Sequence, residues 1–204
     1  MTSIRLATLV SIICLSPALL MAGNPPWWTS RNVISIDPAT GKPRSTNDYA
    51  AANQGQVKNI AAAAVAELNA NLPGGAGTAL TQLAEKLSVA RKNTNDYATV
   101  NLGQLKNMAQ PFYDRLIAAG YIKQVPWAGA KNPPNDYAMA NIGQVKNLFS
   151  FDVTYRSDAA NPLPDWWQIH YFGVIGQKPD APTPSGDGKT LLQAFQQGVD
   201  PLKK

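Results

Sequence analysis

Three aspartates, Asp48, Asp96 and Asp136, stand at the same place in a phrase that the chain repeats. Paired carboxylates are what a glycoside hydrolase uses to protonate a leaving group and activate water or form a glycosyl intermediate. The repeats also supply three amines, Lys58, Lys106 and Lys146, and a set of amides. Little else in the chain points to bond-breaking chemistry. His170 is the sole histidine, so no two-histidine metal site is possible in one chain. It sits between Ile169 and Tyr171-Phe172, a setting for packing, and no serine lies on a recognisable nucleophile elbow. Gly74-Gly75-Ala76-Gly77 lacks the lysine and preceding strand of a phosphate-binding loop. Aromatic and basic residues do not alternate as a nucleic-acid platform requires.

The repeated phrase is therefore the main signal. It runs sixteen residues from Thr46, Thr94 and Pro134, with starts 48 and then 40 residues apart. All three copies read Asn-Asp-Tyr-Ala-x-x-Asn-x-Gly-Gln-x-Lys-Asn. The spacing is in the range at which supersecondary units stack. A helix copied only to fill a core would keep its apolar pattern and let polar letters drift. Here the polar letters are fixed.

Asn and Asp before the tyrosine are good helix caps, so each copy is expected to open a helix. That reading accounts for Asp48, Asp96 and Asp136 as caps of equivalent helices. With the tyrosine at the origin of a wheel of about 100° per residue, copy two puts Leu102, Leu105, Met108, Ala109, Phe112 and Leu116 on one core face. Asn53, Asn101 and Asn141 fall inside that arc. They are expected to bond backbone, because an unpaired buried amide costs about 1–3 kcal/mol. Tyr49, Tyr97 and Tyr137 fall at its edge, with packed rings. Gly55, Gln56 and Asn59, with Gly103, Gln104, Asn107 and Gly143, Gln144, Asn147, make a ridge away from the core. Either the ridge packs on a neighbouring loop or copy, with the glutamines bonding its backbone, or it is a binding surface shown three times. Lys58, Lys106 and Lys146 belong with it, as solubilising charge or as a basic stripe.

Around the repeats the chain divides into four stretches. Residues 1–22 read as a signal peptide, with Arg5, an apolar run and Ala22 at the cleavage site. Its removal takes away Cys14, the only cysteine, and lowers the net charge from +5 to +4. No later stretch is long and apolar enough to span a membrane. Residues 23–45 form a Pro-rich, extended leading segment. In it Trp27 and Trp28 either anchor the first helix or stack on carbohydrate. Residues 46–151 hold the copies. Copy one continues to Asn71 and is followed by an amphipathic helix over 78–90, with Leu80, Leu83, Ala84 and Leu87 on one face. Copy two continues to Gly120, with Pro111 kinking or restarting it. A connector with a possible strand at 121–125 leads to copy three. Residues 152–204 form a Trp-rich tail with helices near Leu163–Gly173 and Leu191–Gly198.

The phrase, with Phe112-Tyr113-Asp114-Arg115-Leu116 after copy two and Leu163-Pro164-Asp165-Trp166-Trp167 after the last copy, resembles a tandem helical repeat of exported bacterial proteins of uncharacterised function. The resemblance covers residues 46–201 and implies export and a mainly α, three-unit helical repeat architecture. The tail also resembles thrombospondin type 3 and dockerin calcium loops, which place oxygens at positions 1, 3 and 5, glycine at 6 and a carboxylate at 12. In that register Thr183, Ser185, Asp187, Gly188 and Ala194 fill the second loop. Ser157, Ala159, Asn161, Pro162, Leu163 and Gln168 fill the first at 1, 3, 5, 6, 7 and 12. Both look eroded, leaving Ser185 and Asp187 as weak metal candidates and calcium as the one cofactor to consider.

Together these features imply an exported protein of the periplasm, cell surface or medium. It is expected to be a non-enzymatic structural or interaction module that holds a protein or glycan partner, with no nucleic acid. A small Asp-dependent hydrolase of an envelope polysaccharide and a calcium-dependent docking module are the alternatives.

Overall fold

The computed structural model describes residues 24–90, 95–128 and 135–204; the signal-peptide expectation lies outside them. Seven helices occur among the described residues: α1 (Pro26–Ser30), α2 (Gln54–Asn71), α3 (Gly77–Ala90), α4 (Leu102–Ala118), α5 (Ile142–Leu148), α6 (Asp165–Phe172) and α7 (Leu191–Gln197). Extended backbone pairs there only as isolated bridges. The fold is mainly α. No described helix is long and apolar enough to cross a membrane.

The helices of the three copies begin later than their sequence suggests. Asn53, Asn101 and Asn141, not the Asn-Asp pairs, are the N-caps. Each cap side chain accepts from the backbone N–H of the glutamine three residues on, and that glutamine's Oε1 accepts from the cap's own N–H. Asn-Asp-Tyr-Ala instead forms a turn. Asn47, Asn95 and Asn135 Oδ1 accept from the N–H of the tyrosine two residues later, at 3.2, 3.1 and 3.0 Å. Two residues of extended chain then lead to the cap.

Those extended residues pair with one another in a closed triangle. Ala51 bridges Asn141, Asn53 bridges Thr99, and Asn101 bridges Met139. At its centre Ala52 N–H donates to Ala140 O, Ala140 N–H to Val100 O, and Val100 N–H to Ala52 O, at 2.8–3.0 Å. Ala52, Val100 and Ala140 are buried. The copies thus close head to tail and do not stack as an open array.

The helices carry the core outward from this triangle. Leu105, Ala109, Phe112 and Leu116 of α4 are buried, with Leu102 and Met108 packed beside them, which is the arc read from the wheel. α4 runs through Pro111 as one helix. α3 contributes Leu80 and Leu87, with Leu83 and Ala84 against the same core. Arg115 ties α4 to the α2–α3 loop by donating to the carbonyls of Gly75 and Pro73.

The leading segment departs from an extended chain. Pro26, at the first turn where a missing N–H costs nothing, opens α1. Trp27 and Trp28 are buried and donate their indole N–H to Phe151 O (2.7 Å) and Phe149 O (3.0 Å). Both rings face the end of the third copy, so stacking on carbohydrate is excluded for them. The expected strand at 121–125 is not formed. Tyr121 packs against Trp166 and its hydroxyl meets the backbone of Asp152. Behind it Trp166, Trp167 and Phe195 join α6 to α7. His170 lies flat on Gly120, whose φ of +82° already favours glycine; a Cβ there would collide with the imidazole. The histidine itself is exposed, with its ring edge-on to Tyr171.

Candidate functional site

The repeat letters meet at three junctions between copies. In each, the first two free N–H groups of one helix donate to the turn of the next copy. Gln54 and Gly55 N–H reach Ala98 O and Asp96 O; Leu102 and Gly103 reach Ala138 O and Asp136 O; Ile142 and Gly143 reach Ala50 O and Asp48 O, all at 2.8–2.9 Å. With the capping asparagine serving the third N–H, the donors left over at each helix start are satisfied without water.

Close approach explains the glycines. A Cβ on Gly55 would stand 3.0 Å from Asp96 Cβ, one on Gly103 3.2 Å from Asp136 Cβ, and one on Gly143 3.2 Å from Asp48 O. The lysines complete the same junctions. Lys58 Nζ bonds Asp96 at 2.8 Å, Lys106 bonds Asp136 at 2.5 Å, and Lys146 bonds Asp48 at 3.0 Å. Thr46 Oγ1 donates to Asp48 as well. The Thr46 hydroxyl, with the Lys146 ammonium, holds the Asp48 carboxyl below the ordinary carboxylate range.

Several sequence expectations change here. Of the two readings of the ridge, packing on a neighbouring copy is the one that Gly55, Gly103 and Gly143 follow, and the three lysines face the next copy with them and form no basic stripe. The glutamines bond their own caps rather than a neighbouring copy. Asp48, Asp96 and Asp136 cap no helix through their side chains; each is held in an ion pair across a junction.

The tyrosines are the largest departure. Tyr49, Tyr97 and Tyr137 are 92%, 89% and 89% exposed. The reason is the late helix start: the ring is on the turn, five residues before the helix, and not on its core face. Gln56, Gln104, Gln144, Asn59, Asn107 and Asn147 are exposed too. Asn59 lies four residues after Gly55, one turn along the helix face on which the Asp96–Tyr97 turn rests. Each junction therefore brings a tyrosine from one copy beside the helix bearing glutamine and asparagine from the copy before it. By the contact of the adjoining aspartate with the helix glycine, Tyr97 belongs with the helix that carries Gln56 and Asn59, Tyr137 with that of Gln104 and Asn107, and Tyr49 with that of Gln144 and Asn147. Met139, 65% exposed, adds apolar surface near one of them.

The loops that resemble calcium sites hold groups that do not fit the ion. In the second loop Asp187 is engaged by the Lys189 ammonium (2.7 Å), by Thr183 Oγ1 and by Lys189 N–H (3.1 Å). The Lys189 ammonium, then the Thr183 hydroxyl, holds this carboxyl far below its usual range. Ser185 Oγ donates to Thr183 Oγ1 at 3.2 Å. A fixed cation thus meets the one carboxylate of the loop. In the first loop Gln168, buried at position 12, donates from Nε2 to Leu163 O at 2.8 Å, joining directly the two groups that a calcium ion would bridge. Asp165, at position 9 and passed over in the sequence, accepts from Ser157 N–H at 3.0 Å. Among the described residues no three His, Cys, Asp or Glu side chains cluster for a metal.

Comparison with family models, with characterised proteins and with solved structures finds no match. The likeness to exported helical-repeat proteins rests on the motifs alone.

Proposed function

We propose that the protein is a non-enzymatic interaction module, exported to the cell envelope or extracellular space, that holds a protein or glycan partner at the three junctions of its ring. The observation that carries this is what remains when every repeated letter with a job in the fold is set aside. The first asparagine makes the turn, the aspartate and lysine pair, the second asparagine and the glutamine cap, and the glycine allows close approach. Buried and half-buried core positions meanwhile vary: Val57, Leu105 and Val145 are equivalent, as are Ile60, Met108 and Leu148. Tyrosine does not vary, although it is nearly wholly exposed and little of its ring is buried in the fold. Large aromatic side chains kept at the surface are a mark of binding sites.

Three like sites on one rigid ring suit avid binding, since a ligand held at one junction meets the next at high effective concentration. Export is supported by the basic-then-apolar leader read in residues 1–22. The pairing of all three repeat aspartates supports binding over hydrolysis.

Fluorescently labelled protein should coat isolated envelopes of the source cell. The triple variant Tyr49→Ala, Tyr97→Ala, Tyr137→Ala should lose that coating while keeping its melting temperature. Equal coating by the folded triple variant would refute the proposal.

A further inference from the structure

Resting on that reading, we infer that the junctions take a neutral glycan chain of repeating units. The ring offered at each junction is a tyrosine on a turn whose backbone is held by the asparagine two residues before it, so the base of the plate is anchored while the ring stands in solvent. Such a plate offers an apolar face for the C–H face of a pyranose, and its hydroxyl can bond at the rim. The adjoining helix carries exposed glutamines whose Oε1 accepts from the cap and whose amide N–H groups can donate to sugar hydroxyls.

Charge decides between glycan classes. An anionic polymer selects arginines or unpaired lysines able to make charge-assisted bonds. At these junctions every lysine already meets an aspartate, and the formal charges cancel in pairs. A neutral chain loses nothing there, whereas a polyuronate or a phosphate polymer meets an ammonium that a carboxylate already occupies. Repetition decides between a glycan and a protein. Three like sites gain most from a ligand that presents the same group again and again, and a folded protein partner would present three different surfaces to them.

The test is calorimetric titration of the protein with two neutral polymers, glycol chitin and hydroxyethylcellulose, and with polygalacturonate, all at physiological salt. Binding to at least one neutral polymer is expected, with affinity weakened on the order of tenfold by Tyr97→Ala. The triple tyrosine variant should lose binding altogether with melting unchanged. Binding to polygalacturonate alone, or neutral-polymer binding untouched in the triple variant, overturns the inference. So does an absence of binding to both neutral polymers. The envelope-coating assay separates the two levels: coating that depends on the tyrosines without neutral-glycan binding overturns the glycan class and keeps the interaction module. Coating that ignores the tyrosines overturns both.

Discussion

Tyr97 and Gly55 show how little a side chain's size says about its part in stability. A tyrosine on a core-facing helix would cost about 3–5 kcal/mol on truncation, as large aromatic residues do. Tyr97 is 89% exposed. Tyr97→Ala is therefore expected to change unfolding free energy by less than about 0.5 kcal/mol, the usual span for surface positions. A denaturant melt checks this; a loss of 2 kcal/mol or more would place the ring in a packed site. Gly55, with no side chain, should behave in the opposite way. Alanine would gain about 1 kcal/mol in helix propensity. Its methyl, however, meets Asp96 Cβ at 3.0 Å and Asp96 O at 3.3 Å, and that carbonyl is anchored by the Gly55 N–H itself. Overpacking against atoms that cannot retreat costs about 1–3 kcal/mol, so Gly55→Ala should be net destabilising in the same melt. The sequence pointed to the need for glycine at this position, because glycine persisted within a helix three times. It could not say which backbone came close.

At the scale of elements, the apolar arcs of α3 and α4 and the stops after Asn71 and at Gly173 were legible, since each follows from local period and local backbone chemistry. Helix starts were not. Asn47-Asp48 and Asn53 are equally good caps on paper, and only the bridges to Thr99 and Asn141 decide that the chain stays extended until Asn53. Those bridges join segments far apart in sequence, which no window of residues reports. Moving the start by five residues turned the tyrosine from the core edge to the surface, and exchanged the roles of the aspartates and the asparagines. The cap assignment has its own consequence. Asn101→Ala removes the acceptor for Gln104 N–H and the geometry that lets Gln104 Oε1 accept from the cap. A loss of about 1 kcal/mol is expected. Asp96→Ala removes no helix cap, so it should act through Lys58, which is the least exposed of the three lysines, with 9% of its side chain accessible. Asp96→Ala should thus destabilise more than Asp136→Ala, whose partner Lys106 is 19% exposed. The reverse order in thermal melts would mean that burial does not govern these pairs.

For the whole molecule, what matters is that the third junction exists. An open array of three copies has two interfaces; this chain has three, and the last joins residues 98 apart. α1 reinforces that closure: Trp28 donates to Phe149 O, and Lys146 Nζ lies 5.9 Å from the centre of its ring. If the ring is closed in solution, Gly143→Ala, which presses on Asp48 O at 3.2 Å, should destabilise much as Gly103→Ala does at the junction before it. In an open array it would be neutral or mildly stabilising through helix propensity. The closing junction should also have a pH signature. The Thr46 hydroxyl and the Lys146 ammonium favour the ionised form of Asp48 and lower its folded-state pKa. A carboxyl depressed in this way contributes stability above its unfolded value, near 4, and loses it as pH falls through the folded value. Asp48 is 46% exposed, so water and salt screen the pair and the contribution should stay below about 1 kcal/mol. Urea midpoints of the wild type and Asp48→Asn should therefore differ by a constant, small amount above pH 5. The gap should narrow below pH 4 and close once the wild-type carboxyl is protonated, since both proteins then carry a neutral group beside Lys146. A gap that stays constant down to pH 2 would show that the closing ion pair adds nothing, and that Asp48 acts there only through its backbone carbonyl.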